Sequence, residues 1–255
     1  MPFFSPPGSL IYSDDFESGS TGVSLSGGTI NWSDNSTTGL TPGPQASVKY
    51  STTQAFNGAK AVAFLYSANG ATPPCIGYRA ELRFDLGTGY TDVTWDCYMF
   101  TPTNFKHFAS GSSNNNKMFR ISPVSQPDPA VGLERLGASF ERDSDDSSGL
   151  IGDWDTNDGG GMTQRGTYHA GFNLASESGT WHRWTVYCKA ATASGGAGRA
   201  YLKIWKDGTL ILDERPDIFQ AESHNFRYGY WLGAMNGFCN GDTFWFMDRL
   251  RVYGL

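Results

Sequence analysis

Residues 200–214, AYLKIWKDGTLILDE, limit what this chain can fold into more than any other stretch. Apolar and polar side chains alternate on both sides of Asp207-Gly208, and that dipeptide supplies the positive-φ positions that a tight primed turn requires. Two strands therefore pair antiparallel here. Comparable runs recur at 9–16, 60–66, 78–85, 92–100, 117–122, 137–142, 181–190, 200–206, 209–213, 227–235 and 243–253, separated by Gly, Ser, Asn and Asp clusters. No long apolar stripe of helical period interrupts them. The pattern predicts an all-β protein of antiparallel sheets. A length of 255 residues suits one large β domain, and no repeat, linker or composition shift divides it, so a single domain over 1–255 is expected.

Composition narrows the function. The formal charge of −6, with only 17% charged residues, argues against a nucleic-acid surface dominated by Lys and Arg. No run approaches the roughly 20 apolar residues of a membrane span. The opening MPFFSPPGSLIYSDDFESG lacks the basic region and long apolar core of a secretory signal peptide. Neither nucleic acid nor membrane is an expected partner. Cys75, Cys97, Cys188 and Cys239 show no CxxC and no metal-ligand spacing; buried free thiols are favoured over two disulfides. Two segments, SGSSNNN at 110–116 and DSDDSSGLIGDWDTNDGGG at 143–161, are too polar for core and are expected as surface loops. The acids of the second, Asp143, Asp145, Asp146, Asp153, Asp155 and Asp158, lack the spacing of a calcium loop, which favours a solvated acidic loop.

The strand Tyr78-Arg79-Ala80-Glu81-Leu82-Arg83-Phe84 carries the most chemistry. Alternation puts Arg79, Glu81 and Arg83 on one face and Tyr78, Ala80, Leu82 and Phe84 on the other. Two readings stay open. The three charges neutralise one another on a solvated sheet, or Glu81 locks the arginine rotamers so that their planar forks meet a sugar carboxylate or hydroxyl.

Together with Asp14-Asp15-Phe16-Glu17, Trp181-His182-x-Trp184, the KDG hairpin and the closing Phe246-x-Asp248-x-Leu250-x-Val252-Tyr253, this Arg-x-Glu-Leu-Arg strand resembles the concanavalin A-like jelly rolls. More narrowly, it is similar to the alginate and glucuronan lyases of that fold. The resemblance implies a two-sheet antiparallel β-sandwich whose concave face holds a polysaccharide, with Arg79, Glu81 and Arg83 on that face. Lyases of this group neutralise a uronate carboxylate with a cation or amide, remove the adjacent proton with a base and protonate the leaving oxygen with Tyr or His. Arg79 or Arg83 suits the first task, and Tyr228, Tyr230 or His224 the proton transfers. Departures from the family pattern are specific. The strand Lys117-Met118-Phe119-Arg120-Ile121 lacks the usual Gln-x-His. With Gly233 aligned to the late Tyr-x-Lys-x-Gly-x-Tyr-x-Gln motif, Trp231, Met235 and Gly237 replace its Lys, second Tyr and Gln.

The remaining candidates are weaker. His107, His169 and His182 form no HxH or HxxxH and no nucleophile arrangement, and are expected as ordinary surface histidines. The Glu-x-Asp-x-x-Glu of glycosidases of this fold is absent, which disfavours hydrolysis by paired carboxylates. Eight Trp and twelve Tyr offer apolar platforms for pyranose rings. Trp231 beside Arg227, and Trp205 beside Tyr201 and Lys203, are the candidate rows, against the alternative of core packing. The resemblance also brings a structural Ca²⁺ between the first and last strands, with Asp15, Glu17 and Asp248 as ligands; the alternative is that these acids cap turns or pair with Arg249 and Arg251. No organic cofactor is expected.

The expectation is therefore a lectin-like jelly roll that binds a glycan, with Arg79, Glu81, Arg83, Arg227 and Trp231 as the floor of the site. A polysaccharide lyase acting by β-elimination is one alternative. Another is a structural or adhesion domain on an extracellular or viral particle, as part of a larger assembly or a homo-oligomer. An extracellular or virion-associated location goes with these readings, by another route or with the signal already removed.

Overall fold

A computed structural model describes residues 4–27, 30–34, 47–66, 78–106, 115–124, 127, 135–142, 148–155, 163–169, 178–191, 200–216, 225–232, 234–235, 238–239 and 243–255. Among these there are twenty strands and no helix. In chain order they are β1 Ser9–Asp14, β2 Ser26–Gly27, β3 Trp32–Asp34, β4 Ser47–Ser51, β5 Ala61–Tyr66, β6 Tyr78–Arg79, β7 Leu82–Tyr90, β8 Asp92–Phe100, β9 Phe105–Lys106 and β10 Asn115–Pro123. There follow β11 Arg135–Arg142, β12 Ser148–Asp155, β13 Thr163–His169, β14 Trp181–Lys189, β15 Tyr201–Lys206, β16 Thr209–Glu214, β17 Phe226–Trp231, β18 Ala234–Met235, β19 Phe238–Cys239 and β20 Thr243–Gly254.

These form two antiparallel sheets and one small pair. The eight-stranded sheet runs β16-β15-β14-β8-β20-β5-β4, with β1 beside β20. The ten-stranded sheet runs β13-β12-β11-β10-β17-β7-β3-β2, and β18 joins β10 to β6; β9 pairs β19. The β15–β16 turn is as the sequence requires: Asp207 and Gly208 both have left-handed φ, 49° and 79°.

Alternation sorts the side chains. Val93, Trp95, Cys97 and Met99 of β8 and Leu82, Phe84 and Leu86 of β7 turn inward and meet between the sheets, all of them buried. The Trp95 ring lies 4.3 Å from Phe84 and 5.9 Å from both Phe119 and Trp231. Trp231 is thus a core residue with no exposed surface, and this corrects its expected place on the glycan floor. Gly229 and Trp231 share the inward face of β17, so Tyr230 takes the outward one. Tyr201, Lys203 and Trp205 face outward, but on the eight-stranded sheet, and Trp205 is stacked by Phe4 at 4.1 Å.

Three other expectations change. The 78–85 strand is broken: β6 ends at Arg79, and β7 begins at Leu82. The 227–235 strand divides at Leu232, whose φ is 51°. Residues 148–155 of the acidic 143–161 segment are strand β12, because Leu150 and Ile151 supply buried apolar positions amid acidic neighbours; 143–147 and 156–161 lie outside the described residues. Asn115 and Asn116, from the other polar segment, begin β10, and 110–114 lie outside the described residues.

Candidate functional site

The outward face of the ten-stranded sheet gathers the charged residues. In backbone register Ser33 stands opposite Arg83, Arg83 opposite Tyr230, Tyr230 opposite Arg120, and Arg120 opposite Gly137. Directly opposed residues have Cβ atoms about 4.5–5.5 Å apart. A single phenol therefore stands between two guanidinium-bearing residues, drawn from three strands far apart in sequence. The backbone row continues from Gly137 to Asp153 and Arg165.

Glu81 braces this row. Its carboxylate, only 2% exposed, accepts a 3.0 Å hydrogen bond from Arg83 Nε. A buried acid bonded to a neighbouring arginine fixes the direction of that fork. The pair is common to both readings of this strand, mutual neutralisation and locking of the arginine fork. Arg79 pairs Ala234 in register, and its side chain lies outside the described residues.

Arg120 was not among the candidates from sequence. Its side chain is fully buried and lies across Gly137, where an added Cβ would come within 2.6 Å of Nη1. Nη1 donates to the Phe119 carbonyl at 3.3 Å, and Nη2 to Ser139 Oγ at 3.5 Å. The sequence shows Arg120 alternating with apolar Phe119 and Ile121, which separates it from them across the strand; that β10 shares a sheet with β7, and so brings Arg120 to the side of Arg83, only the structure supplies.

One step along the sheet, Tyr228 stands opposite Asp85 and Ser122. Arg227 sits at the irregularity between Phe226 and Tyr228, its Nε and Nη2 donating to the two Asp85 oxygens at 2.6 and 3.0 Å, with its guanidinium 4.8 Å from the Tyr228 ring centre. The Arg227 guanidinium holds the Asp85 carboxyl below its ordinary value, helped by the Gly87 N–H. His224 lies outside the described residues, as does the His107 position, and nothing is described of the His169 side chain. His182 belongs to the other sheet, with Nδ1 2.6 Å from Asp207 Oδ2. Of the late motif positions, Gly233 and Gly237 lie outside the described residues, and Met235 pairs Asn116 and Tyr78 in backbone register.

The acids near the termini act as caps. Asp248, buried, accepts from the N–H groups of Phe56, Asn57 and Arg249 at 2.9, 3.0 and 2.6 Å. Glu17 accepts from those of Ala59 and Lys60 at 2.8 and 2.9 Å, and Asp15 from that of Glu17 at 3.3 Å. Lys60 Nζ donates to the carbonyls of Glu17 and Gly19 at 2.6 and 2.9 Å. The carboxylates expected to hold Ca²⁺ accept from backbone N–H groups in this structure, and the Lys60 ammonium is bonded to main-chain carbonyls beside them. No cluster of three or more His, Cys, Asp or Glu arranged for a metal occurs among the described residues.

No protein-family model matches the chain, and a search of curated proteins finds no match. Solved structures do match. The chain is similar to an endo-β-1,4-glucuronan lyase from the fungus Trichoderma reesei, with 14% identity and a TM-score of 0.57 over 88% of this chain and 94% of that one. It is also similar to the alginate lyase Aly36B, with 14% identity and a TM-score of 0.56 over 78% and 82% of the two chains. The alginate lyase vAL-1 from Chlorella virus aligns at 14% identity and a TM-score of 0.51 over 89% and 93%. At such identities the likeness is one of architecture, and it establishes that this chain has the two-sheet antiparallel jelly-roll fold found in alginate and glucuronan lyases.

Proposed function

We propose that this protein is a polysaccharide lyase that cleaves a uronate-containing polymer by β-elimination on the outward face of the ten-stranded sheet. The observation that carries this reading is the Arg83–Tyr230–Arg120 row, with Glu81 holding Arg83. It gives the reaction a cation for the carboxylate and a group able to move a proton beside it. Similar folds are named as alginate and glucuronan lyases, and one Aly36B structure holds an alginate trisaccharide.

Arg83 pairs with the uronate carboxylate and stabilises the negative charge that develops on it as the adjacent carbon loses its proton. Tyr230, ionised and opposite Arg83 in backbone register, accepts that proton. The electron pair left on carbon forms a double bond to the next ring carbon, and the glycosidic carbon–oxygen bond breaks. Tyr230 then returns the proton to the leaving oxygen, so one phenol serves as base and acid and no water is consumed. Tyr228, with Arg227 against its ring, is the second candidate for this role.

The test is absorbance from new unsaturated ends on alginate and glucuronan. Wild-type protein is expected to form product, with Arg83→Ala and Tyr230→Phe each losing about 10²–10⁴-fold in rate. Glu81→Gln is expected to raise KM more than it lowers kcat, because it loosens the binding fork. No product on any uronate polymer, or full activity in Tyr230→Phe, overturns the scheme. Recognition without turnover is the second reading, favoured by the lack of Gln-x-His on 117–121, and it shows as affinity without product.

A further inference from the structure

The outward face of the eight-stranded sheet carries a second cluster that the elimination scheme leaves unused. Arg183 of β14, Asp96 and Tyr98 of β8, and Arg249 and Arg251 of β20 line a depression of about 130 Å³. This is room enough for a carboxylate or sulfate group. Three guanidiniums surround one carboxylate in a chain whose formal charge is −6.

The cluster is built. Arg183 Nε and Nη2 grip Asp96 at 2.8 and 2.6 Å, which consumes the only acid among the described residues that line the depression and leaves the other two arginines. Between β20 and β8 the register passes from Asp248↔Tyr98 to Arg251↔Asp96, so β20 carries one extra residue. That residue bulges, and Arg249 takes a φ of 50°, unusual for a long side chain. The bulge brings both Arg249 and Arg251, each exposed, to the same depression. Neither has an ion-pair partner among the described residues.

Aromatic surface adjoins it. Tyr98 lines the depression and is stacked by Phe56 at 3.6 Å, while Trp181 lies 6.0 Å from Phe56 and 5.6 Å from Phe100. Phe56 is 38% exposed, a large share for a ring in a sheet-face cluster. Flat apolar rings beside arginine forks match an acidic pyranose, which offers a C–H face to the rings and an anionic substituent to the forks.

We propose that this face is a second glycan site, in which Arg249 and Arg251 hold an anionic sugar substituent, a carboxylate or a sulfate ester, and the sugar ring rests on Phe56 and Trp181. It lies on the opposite side of the sandwich from Arg83 and does not depend on the lyase reading.

Calorimetric titration of the full chain tests it, using an oligomannuronate, a sulfated galactan oligomer, a neutral cello-oligosaccharide and polyglutamate. Wild-type and Arg83→Ala proteins are expected to bind a charged glycan, weakening as salt is added. Binding in the first or second arm supports the site and says which anion it takes. Arg249→Gln/Arg251→Gln is expected to lower the affinity by about tenfold or more through lost charge-assisted hydrogen bonds. Phe56→Ala is expected to weaken it too, with Arg251→Lys intermediate and melting temperatures unchanged for the arginine variants. Unchanged affinity in Arg249→Gln/Arg251→Gln overturns the proposal. So does complete loss of binding in Arg83→Ala, binding of the neutral glycan or polyglutamate as tight as that of the acidic glycan, or no binding in any arm.

Discussion

Two aspartates show how position alone sets acid–base behaviour. Asp85, on the site face, is held below its ordinary value of 3.8 chiefly by the Arg227 guanidinium. Asp248 is pushed above 3.8 by burial, against the pull of three backbone N–H groups. The signs of their stability effects are opposite. A depressed carboxyl contributes stability that is fully present above the unfolded value and is lost as pH falls through the folded one. A raised carboxyl favours the protonated fold, so stability declines as pH climbs from 3.8 through the raised value. Asp85→Asn is therefore expected to melt below wild type near neutral pH, with the gap closing as pH drops under 3.8. Thermal melts across a pH series measure it. A gap that persists unchanged into strong acid would mean that the Arg227 pair is not its source.

At the level of strands, close approach decides which residues fit. On the inward side of β17, a Cβ at Gly229 would lie 2.2 Å from Phe84 Cζ and 2.3 Å from the Arg120 carbonyl oxygen, the latter fixed backbone. Gly229→Ala is expected to cost about 1–3 kcal/mol by overpacking. For a chain of this size that is about 2–4 °C of melting temperature per kcal/mol. Since Gly229 adjoins Tyr230, the same variant should disturb the Arg83–Tyr230–Arg120 row. Denaturant titration beside the activity assay separates the two effects, and unchanged stability would contradict this close approach. The first and last strands are tied in another way. β1 pairs β20 from Ser9↔Gly254 to Asp14↔Leu250, and just beyond it Lys60 Nζ draws together the carbonyls of Glu17 and Gly19. Lys60→Met leaves these carbonyls without their donor and is expected to lower the melting temperature. In wild type, calcium or a chelator is expected to leave that temperature where it is. A rise in the melting temperature of wild type with calcium would show that the folded chain binds the ion.

Across the molecule, one apolar cluster runs from Phe16 to Val252 and takes side chains from both sheets. Cys97 and Cys188 are free and buried in it, and burial pushes both thiols up. The thiolate is the reactive form. Mapping by mass spectrometry after treatment with a thiol reagent should therefore find these two unlabelled in the native protein and labelled on unfolding. Labelling at the native rate of an exposed thiol would show that the sandwich opens readily. The sequence alone determined the strand-rich architecture, the Asp207-Gly208 hairpin, the jelly-roll resemblance and the Glu81–Arg83 pair. The resemblance rests on motifs spread from Asp14 to Tyr253, and the others on local periodicity or on residues two apart, where the backbone dictates which side chains share a face. Tertiary structure decided the rest. Strand alternation says that Trp231 and Tyr230 point opposite ways, but not which way the core lies, so Trp231 went to the interior and Tyr230 to the site. Arg120 joined Arg83 only because β17 lies between β7 and β10. Lys60 met Glu17, and Arg251 met Arg183, through pairings between strands distant along the chain, and no local pattern carries such information.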